Sequence, residues 1–507
     1  MKLEIRRGQV MSGIGIAGCL ILLITGIRQG LSAAAYFAGA VLAAMPAAAV
    51  FLMILPQQLG RILRRRESRM QYSNADEMRK SSMLLQIVSA AAGSLLLFFS
   101  ADFLAGSLLG LSYSVLALKI LAAALLPVGM MYILEGYFYG NGQWKIPLIS
   151  RLLNGLLFLL FGLLFTNRFS AYGENVGRLL LNKELPAMYA AAGMATATVL
   201  AVTLSVLFLL PVWIAVHRSQ FATRKAGVVQ TEFWKKLMGN LVLGSLPGML
   251  QRLFVSLILL LGFLVVYRNE RTDEAGLFAV CLVLLAVPVL ALRIVILPDA
   301  HRAIAGKREE GVRFLSISQV FQKVIFWGLP VSIFCLILAP SVTKIFPVGT
   351  LSGTMTAFLR TGAFLLLEIP VLLLFLEIAS RSQKNYLSAG CLFVFLLFAG
   401  LSFLLWETGF HAGSIGVMAA MLTAGAVTDI LIGILFFRWK AIRIPLIPGV
   451  LLPLGAAVVP GLLLLLLQYL LADHIPGWLL VLPGFGIGIA GYLVLVRFTE
   501  ERFLRKS

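Results

Sequence analysis

The chain has 507 residues, of which 60% are hydrophobic and 13% are charged, and it carries a formal net charge of +20. Soluble domains contain about 25% charged residues, so this composition excludes a soluble globular protein and predicts a protein embedded in lipid. None of its polar stretches is long enough to form a separate soluble domain.

Apolar runs of about 20 residues, the length that crosses a bilayer, follow one another along the whole chain. Hydropathy and helix-breaking residues divide them into about fourteen spans. The predicted limits are 9–27, 32–58, 82–105, 112–137, 148–166, 188–214, 237–267, 274–297, 316–339, 353–378, 387–405, 413–437, 446–471 and 478–497. The first run lacks a small-residue cleavage site, so we interpret it as an uncleaved helix. The expected fold class is an all-α polytopic membrane protein.

The basic residues predict the orientation of the spans. If the N-terminus is cytoplasmic, that side holds 31 of the 42 Lys and Arg residues and the opposite side holds seven, with four inside spans. Such an asymmetry is typical of an even number of spans with both termini inside. The richest loop, 61–80, is expected to contact anionic membrane lipids rather than nucleic acid.

Two residue pairs indicate an internal repeat. Pro56 and Pro298 are separated by 242 residues, and so are Glu135 and Glu377. Six predicted spans separate the copies, so the repeat is parallel. It predicts two six-helix lobes around a central cavity, at 1–225 and 226–445, with two further helices and a short cytoplasmic tail at 446–507.

Two stretches resemble a known family. ILPQQLGRILRRRESRMQYSNADEMRKSS, residues 54–82, and EGYFYGNGQWKIPLIS, residues 135–150, are similar to the loops after the second and fourth helices of polysaccharide-biosynthesis flippases. These proteins form a branch of the MOP exporter superfamily that includes the stage V sporulation protein B group, the lipid II flippases and the O-antigen flippases.

The resemblance implies a flippase in the bacterial cytoplasmic membrane, working by alternating access. Its substrate would be an anionic, isoprenoid-pyrophosphate-linked saccharide moved to the outer leaflet. A cation-coupled exporter of drugs or organic cations with the same fold is the alternative. A membrane-embedded saccharide polymerase or glycosyltransferase is disfavoured because the longest predicted outer loop, 167–187, has neither His nor paired carboxylates.

Arg252 is the leading candidate for substrate contact. It lies near the middle of the seventh predicted span, beside Gln251 and a turn after Pro247 and Gly248. An arginine binds pyrophosphate bidentately, as lysine does not, and a charge at this depth indicates function. A structural pair with an acidic residue is the competing interpretation.

Three further basic residues are candidates for lining a cavity. Lys119 and Arg360 lie about seven residues inside the outer ends of the fourth and tenth predicted spans, where snorkelling to the interface is the alternative. Arg293 lies about a turn from the cytoplasmic end of the eighth span. It is expected either to meet the incoming head group or to anchor the helix.

Four acidic residues complete the candidate set. Asp429 and Glu368 are predicted to be buried, either binding a coupling H⁺ or Na⁺ or neutralising Arg252. Glu135 and Glu377 lie near the cytoplasmic ends of their spans and are predicted to make gate contacts or exposed salt bridges.

Other classes of chemistry have no support in the sequence. There is no P-loop motif, so ATP is not expected as a cofactor, and transport would draw on an ion gradient or the membrane potential. Neither the cysteine spacing nor any other pattern predicts a metal site or catalytic residues. We expect a monomer that is not an enzyme.

Overall fold

The computed structural model describes residues 12–24, 30–54, 56–223, 234–269, 272–305, 317–346, 349–381, 385–410, 413–440, 450–471 and 475–499. Helices make up almost all of these ranges, joined by short turns. They are α1 (Ser12–Ile24), α2 (Leu31–Phe51), α3 (Pro56–Glu67), α4 (Tyr72–Ala101), α5 (Val115–Gly140), α6 (Lys145–Leu180), α7 (Leu185–Thr223), α8 (Trp234–Asn269), α9 (Thr272–Ala305), α10 (Ile317–Thr343), α11 (Ser352–Arg381), α12 (Asn385–Phe410), α13 (Gly413–Lys440), α14 (Leu452–Leu471) and α15 (Gly477–Thr499).

The expected fold class is confirmed. A helix occupies most of each of the fourteen predicted spans. In the described part of the chain, nine helices are long and apolar enough to cross a membrane. The additional helix, α3, is amphipathic, with Arg64, Arg65 and Arg66 in its last turn. The protein is therefore a multi-pass membrane protein.

The predicted second span, 32–58, ends earlier than expected. Helix α2 stops at Phe51, and Leu52 has non-helical backbone angles, φ −90° and ψ 61°. Pro56 then begins α3 as a separate helix. A proline disfavours helical geometry in the residue before it and lacks an N–H to continue a helix, so the Ile-Leu-Pro stretch breaks the span in two.

The expected twenty-residue outer loop at 167–187 is wrong. Helix α6 continues to Leu180, and a turn through Leu181, which has a left-handed backbone with φ 52°, leads into α7 at Leu185. The two helices lie close together at Gly173 and Gly193. A Cβ at either position would lie 2.8 Å from a backbone carbonyl oxygen of the other helix. Small residues of this kind let membrane helices pack backbone to backbone.

The second proline of the predicted repeat behaves differently from the first. Pro56 follows a helix break, whereas α9 continues through Pro298 to Ala305. The lobe limits 1–225, 226–445 and 446–507 stay a prediction. The structure forms two compact units, Ile24–Leu264 and Met1–Leu23 with Val265–Ser507.

In the unit Ile24–Leu264, α5 is the central helix and packs against α2, α3, α4 and α7. Helix α3 lies so close to α5 that a Cβ at Gly60 would be 2.7 Å from the Tyr139 Cβ and 3.2 Å from the Gly140 backbone nitrogen. Leu59 and Leu63 of α3 are buried in this contact. The glycines thus fix the amphipathic helix against the end of α5.

In the other unit, the two C-terminal helices α14 and α15 pack against α10. Phe334, Leu464 and Tyr492 bury their side chains at this junction. The Tyr492 hydroxyl donates a 2.7 Å hydrogen bond to the Phe326 carbonyl. The last two helices are therefore packed onto the helices that precede them.

The close approach of α3 and α5 predicts that Gly60→Ala destabilises the protein. Replacing a helical glycine by alanine ordinarily stabilises by about 1 kcal/mol, but here the new methyl group meets backbone atoms that do not yield. We expect a lower melting temperature in detergent, measured by thiol-dye fluorescence. Gly400→Ala is the matched control, because a Cβ there has no neighbour within 4 Å. Equal or higher stability of Gly60→Ala would contradict the packing.

Candidate functional site

Arg252 of α8 is attached to the break between α2 and α3. Its Nη2 donates a 2.6 Å hydrogen bond to the Leu52 carbonyl, and its Nε donates a longer one, 3.3 Å, to the Gly248 carbonyl one turn earlier. No carboxylate among the described residues forms an ion pair with it. Within the described part of the chain, backbone carbonyls and not an acidic side chain hold this guanidinium.

Two side chains of α4 bind the same break. Gln86, which is buried, accepts a 3.0 Å hydrogen bond from the Ile54 backbone N–H, and the Ser89 hydroxyl donates to the Phe51 carbonyl. Backbone groups freed from a helix at membrane depth must find partners inside the protein. Arg252, Gln86 and Ser89 supply them from two different helices.

The Arg252 guanidinium keeps donors for a further partner. A guanidinium has five N–H donors, and the two hydrogen bonds above use two of them. The side chain is partly exposed, as is Gln251 beside it, and α8 continues without a break through Pro247 and Gly248. Arg252 can thus hold the Leu52 carbonyl and present N–H groups to an anion.

The other basic candidates are dispersed. Lys119 forms a 2.6 Å ion pair with Asp102, in a π-helical turn (Asp102–Leu108) after α4, and the two side chains are 32% and 69% exposed. Arg360 of α11 and Arg293 of α9 are both exposed. That these residues line a cavity stays a prediction.

Glu368 and Asp429 are brought together from α11 and α13. The Glu368 Oε2 lies against Gly425, where any Cβ would collide with it, one helical turn before Asp429. The Glu368 Oε2 and the Asp429 Oδ1 are both buried, with no hydrogen-bond partner among the described atoms. That these two residues bind a coupling H⁺ or Na⁺ stays a prediction.

Glu135 differs from the expectation of an exposed salt bridge. Its side chain is 0% exposed, and Arg151 of α6 donates to it from Nε at 2.9 Å and from Nη2 at 2.8 Å. This bidentate pair joins α5 to α6 across the turn between them. The side chain of Glu377, the second gate candidate, lies outside the described residues.

The sequence singled out the charged residues of the site but not the groups that bind them or the helix break. Gln86, a single amide in the apolar stretch LLQIV, could have been recognised as a buried hydrogen-bonding residue. Arg151 lies 16 residues after Glu135, beyond the turn, and helical spacing does not reveal that pairing. The link between Arg252 and Leu52 spans 200 residues and depends on tertiary structure.

Comparison with known proteins identifies the fold. No protein-family model and no curated protein matches the chain. Among solved structures, the chain is similar to an inward-facing multidrug resistance MATE family transporter of the MOP superfamily, with 16% identity over 85% of this chain and 94% of that one, and a TM-score of 0.66. An outward-facing MATE family transporter of that superfamily matches with 17% identity over 86% and 94% of the two chains and a TM-score of 0.60.

A third similar structure is the lipid II flippase MurJ in an inward closed conformation, with 14% identity over 98% of each chain and a TM-score of 0.63. These likenesses confirm, at the level of the fold, the resemblance to the MOP superfamily. The chain has the fold of that superfamily's transporters and flippases.

The Glu135–Arg151 contact predicts unequal effects of removing its two members. Arg151→Leu leaves a fully buried carboxylate without a counter-charge, whereas Glu135→Leu leaves an arginine that is 36% exposed and can reach water. We expect Arg151→Leu to lower the free energy of unfolding more, by about 1–3 kcal/mol, measured by denaturation in mixed micelles. The double variant should lose less than the sum of the single variants, and additive losses would contradict a coupled pair.

Proposed function

We propose that the chain is a flippase that moves an isoprenoid-pyrophosphate-linked saccharide from the cytoplasmic to the outer leaflet. The observation that carries the proposal is the partly exposed Arg252 guanidinium, whose remaining N–H donors lie beside the α2–α3 break. A pyrophosphate is the common part of such substrates, and arginine binds its oxygens by paired hydrogen bonds. Gln251 is the neighbouring amide that would contact the head group.

The contact with Leu52 suggests how binding acts on the protein. A bound head group would accept hydrogen bonds from the N–H groups of Arg252 that Leu52 and Gly248 do not use. Because a diphosphate oxygen is a stronger acceptor than a neutral carbonyl, it would draw the guanidinium toward itself and weaken the hydrogen bond to the carbonyl that ends α2. Substrate binding thereby weakens a contact that holds the α2–α3 break in place. Alternating access requires a ligand to interact differently with the two states of the protein, and this contact supplies such a difference.

The structural likenesses agree with either substrate class, because both the MATE family transporter and the lipid II flippase share this fold. Charge favours the lipid-linked saccharide, since a basic residue in the membrane suits an anionic substrate better than an organic cation. An enzyme acting on the same lipid donor has no comparable support.

The orientation proposed for transport follows from charge. The protein lies in a bacterial cytoplasmic membrane, and the side that holds 31 of the 42 basic residues faces the cytoplasm. Both termini are on that side. An inside-negative potential then favours outward movement of an anionic head group.

Arg252 should be required for transport. In proteoliposomes carrying a labelled isoprenoid-pyrophosphate sugar, Arg252→Ala is expected to lower the initial rate about ten- to a hundredfold, because hydrogen bonds to charged groups contribute about 1.5–3 kcal/mol. Arg252→Lys should recover part of the rate, since it keeps the charge but not the paired donors.

Arg178→Ala is the control for that measurement, because Arg178 is an exposed arginine in the last turn of α6 and lies on a different helix from Arg252. A wild-type rate for Arg252→Ala would remove Arg252 from the mechanism. A rate for a labelled organic cation that exceeds the rate for the lipid-linked sugar would favour the exporter instead.

We further propose that Glu368 and Asp429 couple transport to protons. The Glu368 Oε2 and the Asp429 Oδ1 are buried and have no hydrogen-bond partner in the described part of the chain, and neighbouring buried carboxylates favour protonation of one of them over two negative charges. A proton taken up on the outer side and released inside would return the protein to its starting state after the substrate leaves. A Na⁺ ion at the same oxygens is the competing cargo.

Glu368→Gln should uncouple transport from the proton gradient. An inward proton gradient is expected to accelerate wild-type transport in proteoliposomes severalfold, while Glu368→Gln and Asp429→Asn show the basal rate with or without it. Glu174→Gln, which changes an exposed glutamate on α6, is the matched control. Acceleration by a Na⁺ gradient and not by a proton gradient would assign the pair to Na⁺, and acceleration retained in both variants would exclude the pair.

A further inference from the structure

A cavity lies within the unit Ile24–Leu264, where α3 packs against α5. Its volume is about 110 Å³. Residues of α3, α4, α5 and α7 line it. The lining residues are Leu59, Asp76, Arg79, Lys80, Ser82, Met83, Ile133, Leu134, Tyr137, Trp213 and His217.

The cavity lies at the level where the apolar helices end. Along α4 the polar residues Asp76, Arg79 and Lys80 precede the apolar stretch that starts near Met83, and along α7 His217 and Arg218 follow the apolar stretch 199–216. The polar lining residues therefore lie where these apolar stretches end. Charged residues together with Trp and Tyr are typical of the membrane–water interface. On the proposed orientation this is the cytoplasmic interface.

Part of the cavity lining is charged. Arg79 pairs with Glu67 and lies 4.9 Å above the Tyr137 ring, so it is held inside the protein. Lys80 at the mouth is 77% exposed and reaches Asp76 at 3.3 Å. The lining itself has two permanent cations and one carboxylate, a net charge of +1.

The surroundings increase this positive charge. Residues 61–80 contain seven basic and three acidic residues, a net charge of +4, and the nearby α3 exposes Arg64 and Arg65. A positive patch at the cytoplasmic interface attracts anionic lipids by about 1 kcal/mol for each basic residue near the surface.

Another part of the lining is aromatic. The Trp213 and His217 rings stack at 5.3 Å with an interplanar angle of 16°. Tyr137 meets both rings edge-on, at 6.2 Å and 6.1 Å. The lining thus combines charged side chains with a cluster of three rings.

Exposed apolar faces of α4 and α7 lead away from the cavity. On α4, Leu84 and Val88 follow Lys80 at four-residue intervals and are exposed. On α7, Ile214 and Leu207 precede His217 on one face and are also exposed. In a membrane helix such faces contact acyl chains, so the cavity joins a basic end to two lipid-facing stripes.

We propose that this cavity binds the phosphodiester head group of an anionic phospholipid, with Lys80 contacting the phosphate and the acyl chains lying along α4 and α7. The combination of a basic mouth, an aromatic cluster and lipid-facing stripes matches the amphiphilic shape of a phospholipid. A soluble phosphate would contact the basic residues but not the exposed apolar faces of α4 and α7. The site is separate from Arg252, and it does not depend on the proposed transport activity.

Trp213 supplies a local probe for the test. The full-length protein is placed in nanodiscs of phosphatidylcholine containing a small, varied fraction of phosphatidylglycerol, with bromine on the acyl chains of one lipid at a time. The Trp213 signal is the fluorescence of the wild type minus that of Trp213→Phe. We expect brominated phosphatidylglycerol to quench this signal at about fivefold lower mole fraction than brominated phosphatidylcholine.

Lys80→Gln should remove that preference, because it deletes the charge at the mouth while changing a largely exposed side chain. Lys183→Gln, which changes an exposed lysine in the turn before α7, should keep it. Native mass spectrometry of the same proteins gives a second readout, in which retention of phosphatidylglycerol falls about fivefold in Lys80→Gln alone.

Equal quenching by the two brominated lipids, or an unchanged preference in Lys80→Gln, would overturn the proposal. Inorganic phosphate distinguishes the two sources of the ligand. If millimolar phosphate changes the Trp213 signal in pure phosphatidylcholine nanodiscs and Lys80→Gln abolishes that change, the site binds a soluble phosphate and the lipid assignment is wrong. If the signal responds to phosphatidylglycerol and not to phosphate, the head group of the lipid is the ligand.

Discussion

The structure depends on satisfying the backbone groups at the break between α2 and α3. A chain that leaves helical geometry inside a lipid-embedded bundle exposes N–H and C=O groups that no water is available to bind. Here the Phe51 and Leu52 carbonyls and the Ile54 N–H are bonded by Ser89, Arg252 and Gln86. The break is therefore a built feature that ties α4 and α8 to the end of α2.

From the sequence alone, the structural role of Arg252 cannot be distinguished from the substrate-binding role proposed for it. As a donor to Leu52 it is part of the scaffold, and as a half-used guanidinium it is suited to an anionic ligand. A residue that serves both purposes links occupancy of the site to the geometry of a helix end. This link gives the proposed transport cycle a physical step, because a ligand that draws the guanidinium toward itself weakens its hydrogen bond to the Leu52 carbonyl.

Elsewhere, the cost of a charge in lipid explains the remaining contacts. Glu135 is neutralised by Arg151, and Lys119 by Asp102, each across a turn between consecutive structural segments. Glu368 and Asp429 are the exception, because within the described part of the chain the Glu368 Oε2 and the Asp429 Oδ1 are buried without a hydrogen-bond partner. An ionisable group that lacks such a partner inside a membrane is a candidate for function, which is the basis of the proton coupling proposed for this pair.

The sequence by itself determined the class of fold and the order of its apolar helices, because hydropathy acts residue by residue. Local chemistry also placed Pro56 at a boundary, although it did not predict that α3 would be a separate helix. Tertiary structure alone decided the partners: Arg252 meets Leu52 across 200 residues, and α11 and α13 bring Glu368 to Gly425 beside Asp429. Periodicity describes which face of a helix is apolar, whereas the neighbour of that face is set by the packing of the whole unit.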